Sequence, residues 1–276
     1  MLSSHLSVDL WLCHLGELDD CPIRVALLKT TLTDDEVTKV ERYRQPAAQL
    51  KALYTRHYLR SVLSRYSIHS PDYWRFEYGD KGKPVLCSTQ FAQTGIVFNI
   101  SHSQDRLIIA VCKSSDQNVL LGVDIEHSRE TTDIHAIMNH YFTQDEIDAL
   151  KTLNHVEQRE RFFDLWALKE SYIKATGQGL ATSLKSFYFD FSNQEQSYLH
   201  VINEALVASY PSEVCIDKGI SIHSIGSTQV SSLSSKNPQL RWQCFLGRLN
   251  ETFRFAVTVG GADNDVVLKI KTAAFT

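Results

Sequence analysis

The chain has no Cys-x-x-Cys pair and no histidine at zinc-ligand spacing from a cysteine; its six cysteines, at 13, 21, 87, 112, 215 and 244, are scattered over 276 residues. That argues against a zinc site and leaves reduced thiols of core or surface. Long apolar runs are also missing. The longest lies near Leu107 to Cys112, far short of the ~20 residues a membrane span needs. The N-terminal MLSSHLSVDLWLCHL lacks both the basic start and the continuous apolar stretch of a secretion signal, so a cytoplasmic protein is expected. Charge of one sign is not in excess either, with 28 Lys and Arg against 32 Asp and Glu and a net charge of −4. This argues against a general binder of nucleic acid or of anionic membranes. What remains is an ordinary globular composition, 43% hydrophobic with twelve glycines and six prolines, enough for one large or two small domains.

Four short segments recur in the same order. Val8-Asp9-Leu10 matches Val123-Asp124-Ile125, and Leu32 to Val37 matches Phe142 to Ile147. Arg56-His57-Tyr58-Leu59-Arg60 resembles Glu170-Ser171-Tyr172-Ile173-Lys174, and Asp105 to Val111 resembles Glu251 to Val257. The first three offsets are nearly equal and the fourth is larger, which places an insertion around 194–240, where TQVSSLSSKNP is Ser-rich and turn-like. Thr33 with Glu36 and Thr143 with Glu146 are capping boxes that start two helices. A helix begun at Thr33 should break near Gln45-Pro46, proline suiting the first turn of the next, and Phe187 to Phe191 reads as a strand. The expected fold is α+β, with two similar lobes, 1–121 and 122–276, related by a pseudo-twofold and a site in the cleft between them.

Val123-Asp124-Ile125-Glu126 alternates apolar and acidic residues, so in a strand Asp124 and Glu126 share one face. Two carboxylates there repel and, if desolvated, need protons or a cation. The matching first-half positions are Asp9 and Trp11, so the fold does not demand the acidic pair. In the helical stretch FDLWALKESYIKATGQGL (163–180), Glu170 and Lys174 lie one turn apart on one face, Trp166 and Ile173 read as core anchors, and Gly177 and Gly179 end the helix. Three carboxylates without histidine or thiolate suit Mg²⁺, which commonly completes its shell with substrate phosphates. Residues suited to meeting phosphate are Ser101 and His102 at a strand end, Lys81 and Lys83 in a glycine turn, and Lys39, Arg42, Arg44 and Lys51 around Pro46.

GKP, FNISHS, GVDIE and WALKESYIKATGQGL, in that order, resemble the motifs of the 4′-phosphopantetheinyl transferases, and the two-lobed length resembles the surfactin-synthetase-activator type. The likeness runs from about Glu36 to Leu180. It implies transfer of the phosphopantetheine arm of coenzyme A to a serine of an apo acyl or peptidyl carrier protein, with release of 3′,5′-ADP; a monomer is expected, because both halves of the cleft lie in one chain. It further implies Asp124, Glu126 and Glu170 as Mg²⁺ ligands, Glu170 and Lys174 as catalytic groups, and Lys39, Arg42, Lys51, Lys83, Ser101, His102 and Lys174 as coenzyme contacts. Where a bacterial prototype has a further lysine, this chain has Glu36. Two other readings stand beside it: a Mg²⁺-dependent hydrolase of coenzyme A-like pyrophosphates, and a non-catalytic coenzyme A or carrier-binding module.

Overall fold

A computed structural model describes residues 5–116, 118–203, 210–225 and 240–272. In the first half, β1 (Leu6–His14) leads to α1 (Pro22–Lys29), α2 (Asp34–Glu41) and α3 (Pro46–Ser64). The small hairpin of β2 (Phe76–Tyr78) and β3 (Pro84–Leu86) follows, then α4 (Ser88–Thr94), β4 (Ile96–Ser103) and β5 (Arg106–Lys113). The second half runs β6 (Leu120–His127), α5 (Ile134–Tyr141), α6 (Gln144–Lys151), α7 (His155–Thr176), β7 (Phe187–Asp190), β8 (Glu195–Asn203), β9 (Glu213–Ser224), β10 (Trp242–Arg248), β11 (Phe253–Gly260) and β12 (Val266–Thr272). It is the expected α+β chain in two related halves. The expected turn-like insertion is instead largely a strand pair, β8 with β9, while TQVSSLSSKNP at 228–238 lies outside the described residues.

Both capping boxes form, with Thr33 accepting from the Glu36 amide and Thr143 from the Glu146 amide. Pro46 starts α3 after a Gln45 cap, as the break predicts. The capping glutamates do a second job that aligns the halves. Glu36, buried, pairs with Arg60 at 2.6 Å, and Glu146 pairs with Lys169 at 3.0 Å, each a cation on the long helix of its half. Arg60 therefore corresponds to Lys169 and not to Lys174, roughly one and a half turns from the match drawn from sequence. Glu36, the departure from the prototype, is taken up in this core pair.

The strands form one sheet in the order β4-β5-β1-β12-β8-β9-β10-β11-β6, with β7 beside β9. β12, from the end of the chain, runs parallel to β1. One sheet face buries Leu10, Leu12, Ile108, Val123, Ile125 and Val257 in a core shared by both halves. The other is covered by helices, α3 over Trp11 and Ile109 in the first half and α7 over Ala256 and Leu246 in the second. Alternation along β6 puts Leu121, Val123 and Ile125 into the shared core and turns Gly122, Asp124 and Glu126 to the opposite face, the side of α7.

Candidate active site

The two ends of the strand order, β4 and β6, lie alongside each other, and side chains replace the missing backbone ladder. Asn99 Oδ1 accepts from Val123 N at 2.9 Å, and Ser101 Oγ accepts from Ile125 N at 3.3 Å. These bonds satisfy edge amides that would otherwise be buried without partners. α7 can lie close on β6 because position 122 is glycine: a Cβ there would fall 2.0 Å from Ser171 O. α7 ends at Gly177, whose φ of 72° supplies the left-handed cap.

Along α7, Trp166, Glu170 and Lys174 recur every four residues and so share a face. Lys174 Nζ donates to Asp124 Oδ1 at 2.6 Å and to Ser101 Oγ at 2.8 Å, and Ser101 Oγ donates to the same Asp124 oxygen at 2.8 Å. Lys174 thus pairs with the strand carboxylate, not with Glu170 one turn before it. Asp124 Oδ2 is buried and has no hydrogen-bond partner. Trp166 Nε1 donates to Glu126 Oε1 at 3.1 Å, so Trp166 is more than the core anchor its spacing predicts.

Burial first, then the charges of Asp124 and Glu170, push the Glu126 carboxyl well above the ordinary range. Burial and then Asp124 push Glu170 up to about 7. The three acids therefore sit within one another's fields. Among the described residues no group of three His, Cys, Asp or Glu side chains is gathered tightly enough to hold a metal ion as it stands. The donor chemistry nevertheless fits a hard cation: three carboxylates, one with an unpartnered buried oxygen, two held toward protonation by burial and then by neighbouring negative charge.

Beside this cluster is a cleft of about 290 Å³ lined by Lys81 to Pro84, Asn99, Ile100, Glu170, Ile173, Lys174, Gly177 and Gly179. Ser101 and Lys83 are thereby brought to the site, though the Lys83 ammonium donates to two main-chain carbonyls, Leu121 O at 3.0 Å and Ala175 O at 2.9 Å. His102 is exposed at the end of β4, and partial desolvation followed by Lys51 and Lys174 lowers its imidazole pKa. Lys51, near His102, donates to Gln104 O. Lys39 is engaged elsewhere, with Asp35 at 2.7 Å and over the Tyr78 ring at 4.8 Å, and Arg42 is exposed just past α2. Asn99 was missed as a site residue by sequence reasoning; an asparagine inside the apolar strand IVFNI was its available signal.

The sequence family described as the 4′-phosphopantetheinyl transferase superfamily matches residues 120–225, and the one described as 4′-phosphopantetheinyl transferase, N-terminal, matches residues 22–114. The 4′-phosphopantetheinyl transferase HetI of Nostoc is 34% identical over 164 residues, covering 59% of this chain and 67% of the relative. The 4′-phosphopantetheinyl transferase psf-1 of Bacillus pumilus is 31% identical over 195 residues, 68% of this chain and 77% of the relative. The 4′-phosphopantetheinyl transferase Sfp of Bacillus subtilis is 35% identical over 130 residues, 47% of this chain and 53% of the relative. On these matches, the chain belongs to the 4′-phosphopantetheinyl transferase superfamily.

Proposed function

We propose that the protein transfers the 4′-phosphopantetheine arm of coenzyme A to a serine hydroxyl of an apo acyl or peptidyl carrier protein, in the manner of the surfactin-synthetase-activator type. The observation that carries this reading is the Asp124–Lys174–Ser101 cluster with Glu126 and Glu170 beside it, at the mouth of the cleft. In the step, the serine oxygen bonds to the β-phosphorus, the bond from that phosphorus to the bridging pyrophosphate oxygen breaks, and 3′,5′-ADP leaves. Glu170, raised to about 7 by burial and Asp124, takes the serine proton directly or through water. Such assistance contributes roughly 10²–10⁴-fold. Lys174 offsets charge growing on the leaving phosphate. Ser101, His102 and Lys51 meet the coenzyme's phosphates at the end of β4, with Arg42, just past α2, and Lys39, on leaving Asp35, as the farther basic contacts. Mg²⁺ held by Asp124, Glu126 and Glu170 would supply positive charge to the pyrophosphate.

Both sides of the cleft come from one chain, so we take the working form to be a monomer, and the cytoplasm to be its compartment. None of the described helices is long and apolar enough to cross a membrane. The division at residue 121 is likewise a proposal, to which the strand pairing adds that residues 266–272 belong beside β1.

The test is incubation with coenzyme A, Mg²⁺ and a panel of apo-carrier proteins, read by intact mass. A gain equal to the phosphopantetheine arm on the carrier serine, lost in Glu170→Gln, is expected. Coenzyme A cleaved with no mass added to any carrier would favour a hydrolase, and neither change would leave a binding module.

A further inference from the structure

The β4–β6 seam has a third member. Val123 N and Ile125 N on the open edge of β6 are met by Asn99 and Ser101, and the next edge group in that alternation, Leu121 O, is met by Lys83 Nζ at 3.0 Å. The same ammonium donates to Ala175 O at 2.9 Å, in the last turn of α7. Leu121 and Ala175 flank the closest approach of the two elements, since a Cβ on Gly122 would meet Ser171 O at 2.0 Å and Ala175 N at 2.4 Å. Lys174 immediately precedes Ala175, and Asp124 is the next residue after Gly122 on the same face of β6. A single ammonium therefore ties together the two main-chain segments whose side chains make the 2.6 Å Lys174–Asp124 pair.

We propose that Lys83 is a positioning residue that sets the register of the last turn of α7 against β6, so that Lys174 and Asp124 meet, and that its ammonium does not bind the coenzyme. Two of its three donors are committed to carbonyls in a part-buried position, which leaves one N–H for any other partner, and the ammonium's charge is already engaged in holding main chain rather than a substrate. Burial alone lowers this ammonium's pKa, to about 8. Gly82, at φ 80° with nothing near its missing Cβ, shapes the turn that delivers Lys83 to the seam. The proposal rests on the transfer reading only for its kinetic readout.

Lys83→Met keeps the aliphatic stem and removes the donors. Hydrogen exchange of residues 168–176 is expected to accelerate. With apo-carrier, kcat should fall about 10- to 100-fold, as for a displaced catalytic group, while KM for coenzyme A stays within about threefold. Lys83→Gln, which keeps two N–H donors without the charge, should recover part of kcat and of the protection. If the methionine variant does not fold, the glutamine variant carries both measurements against the wild type. A raised KM with kcat unchanged at saturating coenzyme A would make Lys83 a coenzyme contact and overturn the proposal, as would unaltered exchange of 168–176. Lost protection with both kinetic constants unchanged would reduce Lys83 to a purely structural clip and overturn it equally. If the wild type transfers nothing to any carrier, the functional reading fails, yet the exchange measurement still decides the role of Lys83.

Discussion

Asp124 carries one oxygen bonded to Lys174 and Ser101 and a second buried without a partner, while Glu126 and Glu170 are raised by burial and by charges that include Asp124. A carboxyl whose folded pKa lies above its unfolded value adds stability that is complete below the unfolded value and is lost as pH rises through the folded one. Without a cation, the melting temperature should therefore fall as pH rises from about 5 through 7. Mg²⁺, by pairing with the ionised acids, should raise it more at pH 8 than at pH 6. Scanning fluorimetry at both pH values checks this, with the Glu126→Gln and Glu170→Gln double variant expected to lose most of the difference; a larger shift at pH 6 would contradict it. The acids themselves were legible because Asp-x-Glu on a strand and Glu170 on a helix face leave a periodic signature. The Trp166 indole on Glu126 was not, since it joins residues 40 apart and Trp166 also stacks with Phe142 and Phe162 as a core residue would.

Helix starts were the clearest elements in the sequence, because each capping box is complete within four residues and needs no tertiary partner. The register of one half against the other was less legible. Arg60 and Lys169 are equated by their shared ion pair with a capping glutamate, and short matches of mixed composition cannot resolve a slip of roughly one and a half turns. The contact of α7 with β6 is a further case, since it depends on the absence of a side chain at position 122. Gly122→Ala would drive a methyl into Ser171 O, so α7 must shift. We expect a loss of about 1–3 kcal/mol or more in urea denaturation, with the folded remainder inactive because Lys174 leaves Asp124. Gly79→Ala, whose Cβ would meet only Lys83 O at 3.9 Å, is the control and should change neither. Equal stability of the two variants would refute this account of the packing.

At the scale of the molecule, the recurrence of segments foretold two related halves but not how their strands join, because pairing between β1 and β12 links opposite ends of the chain and has no local signal. That joint also distinguishes the twin positions. Asp9, the counterpart of Asp124, accepts from Tyr66 Oη at 2.5 Å and Lys271 Nζ at 2.8 Å. Trp11 stands where the second half has Glu126, with Lys271 over its ring at 5.1 Å. The first-half position is thus closed by an ion pair from β12, and among the described residues the acidic centre is built in the second half alone. Because β12 lies between β1 and β8 in one sheet, the halves should unfold together although the chain repeats. Lys271→Met leaves the buried Asp9 carboxylate with the Tyr66 hydroxyl but no cation and should lower stability by about 1–3 kcal/mol, while transfer by the folded protein continues. Trp11 and Trp74 report on the first half and Trp166 and Trp242 on the second. Fluorescence and far-ultraviolet dichroism should therefore trace one coincident transition in both wild type and variant. Two separated transitions in the variant would mean that β12 does not bind the halves into one cooperative unit.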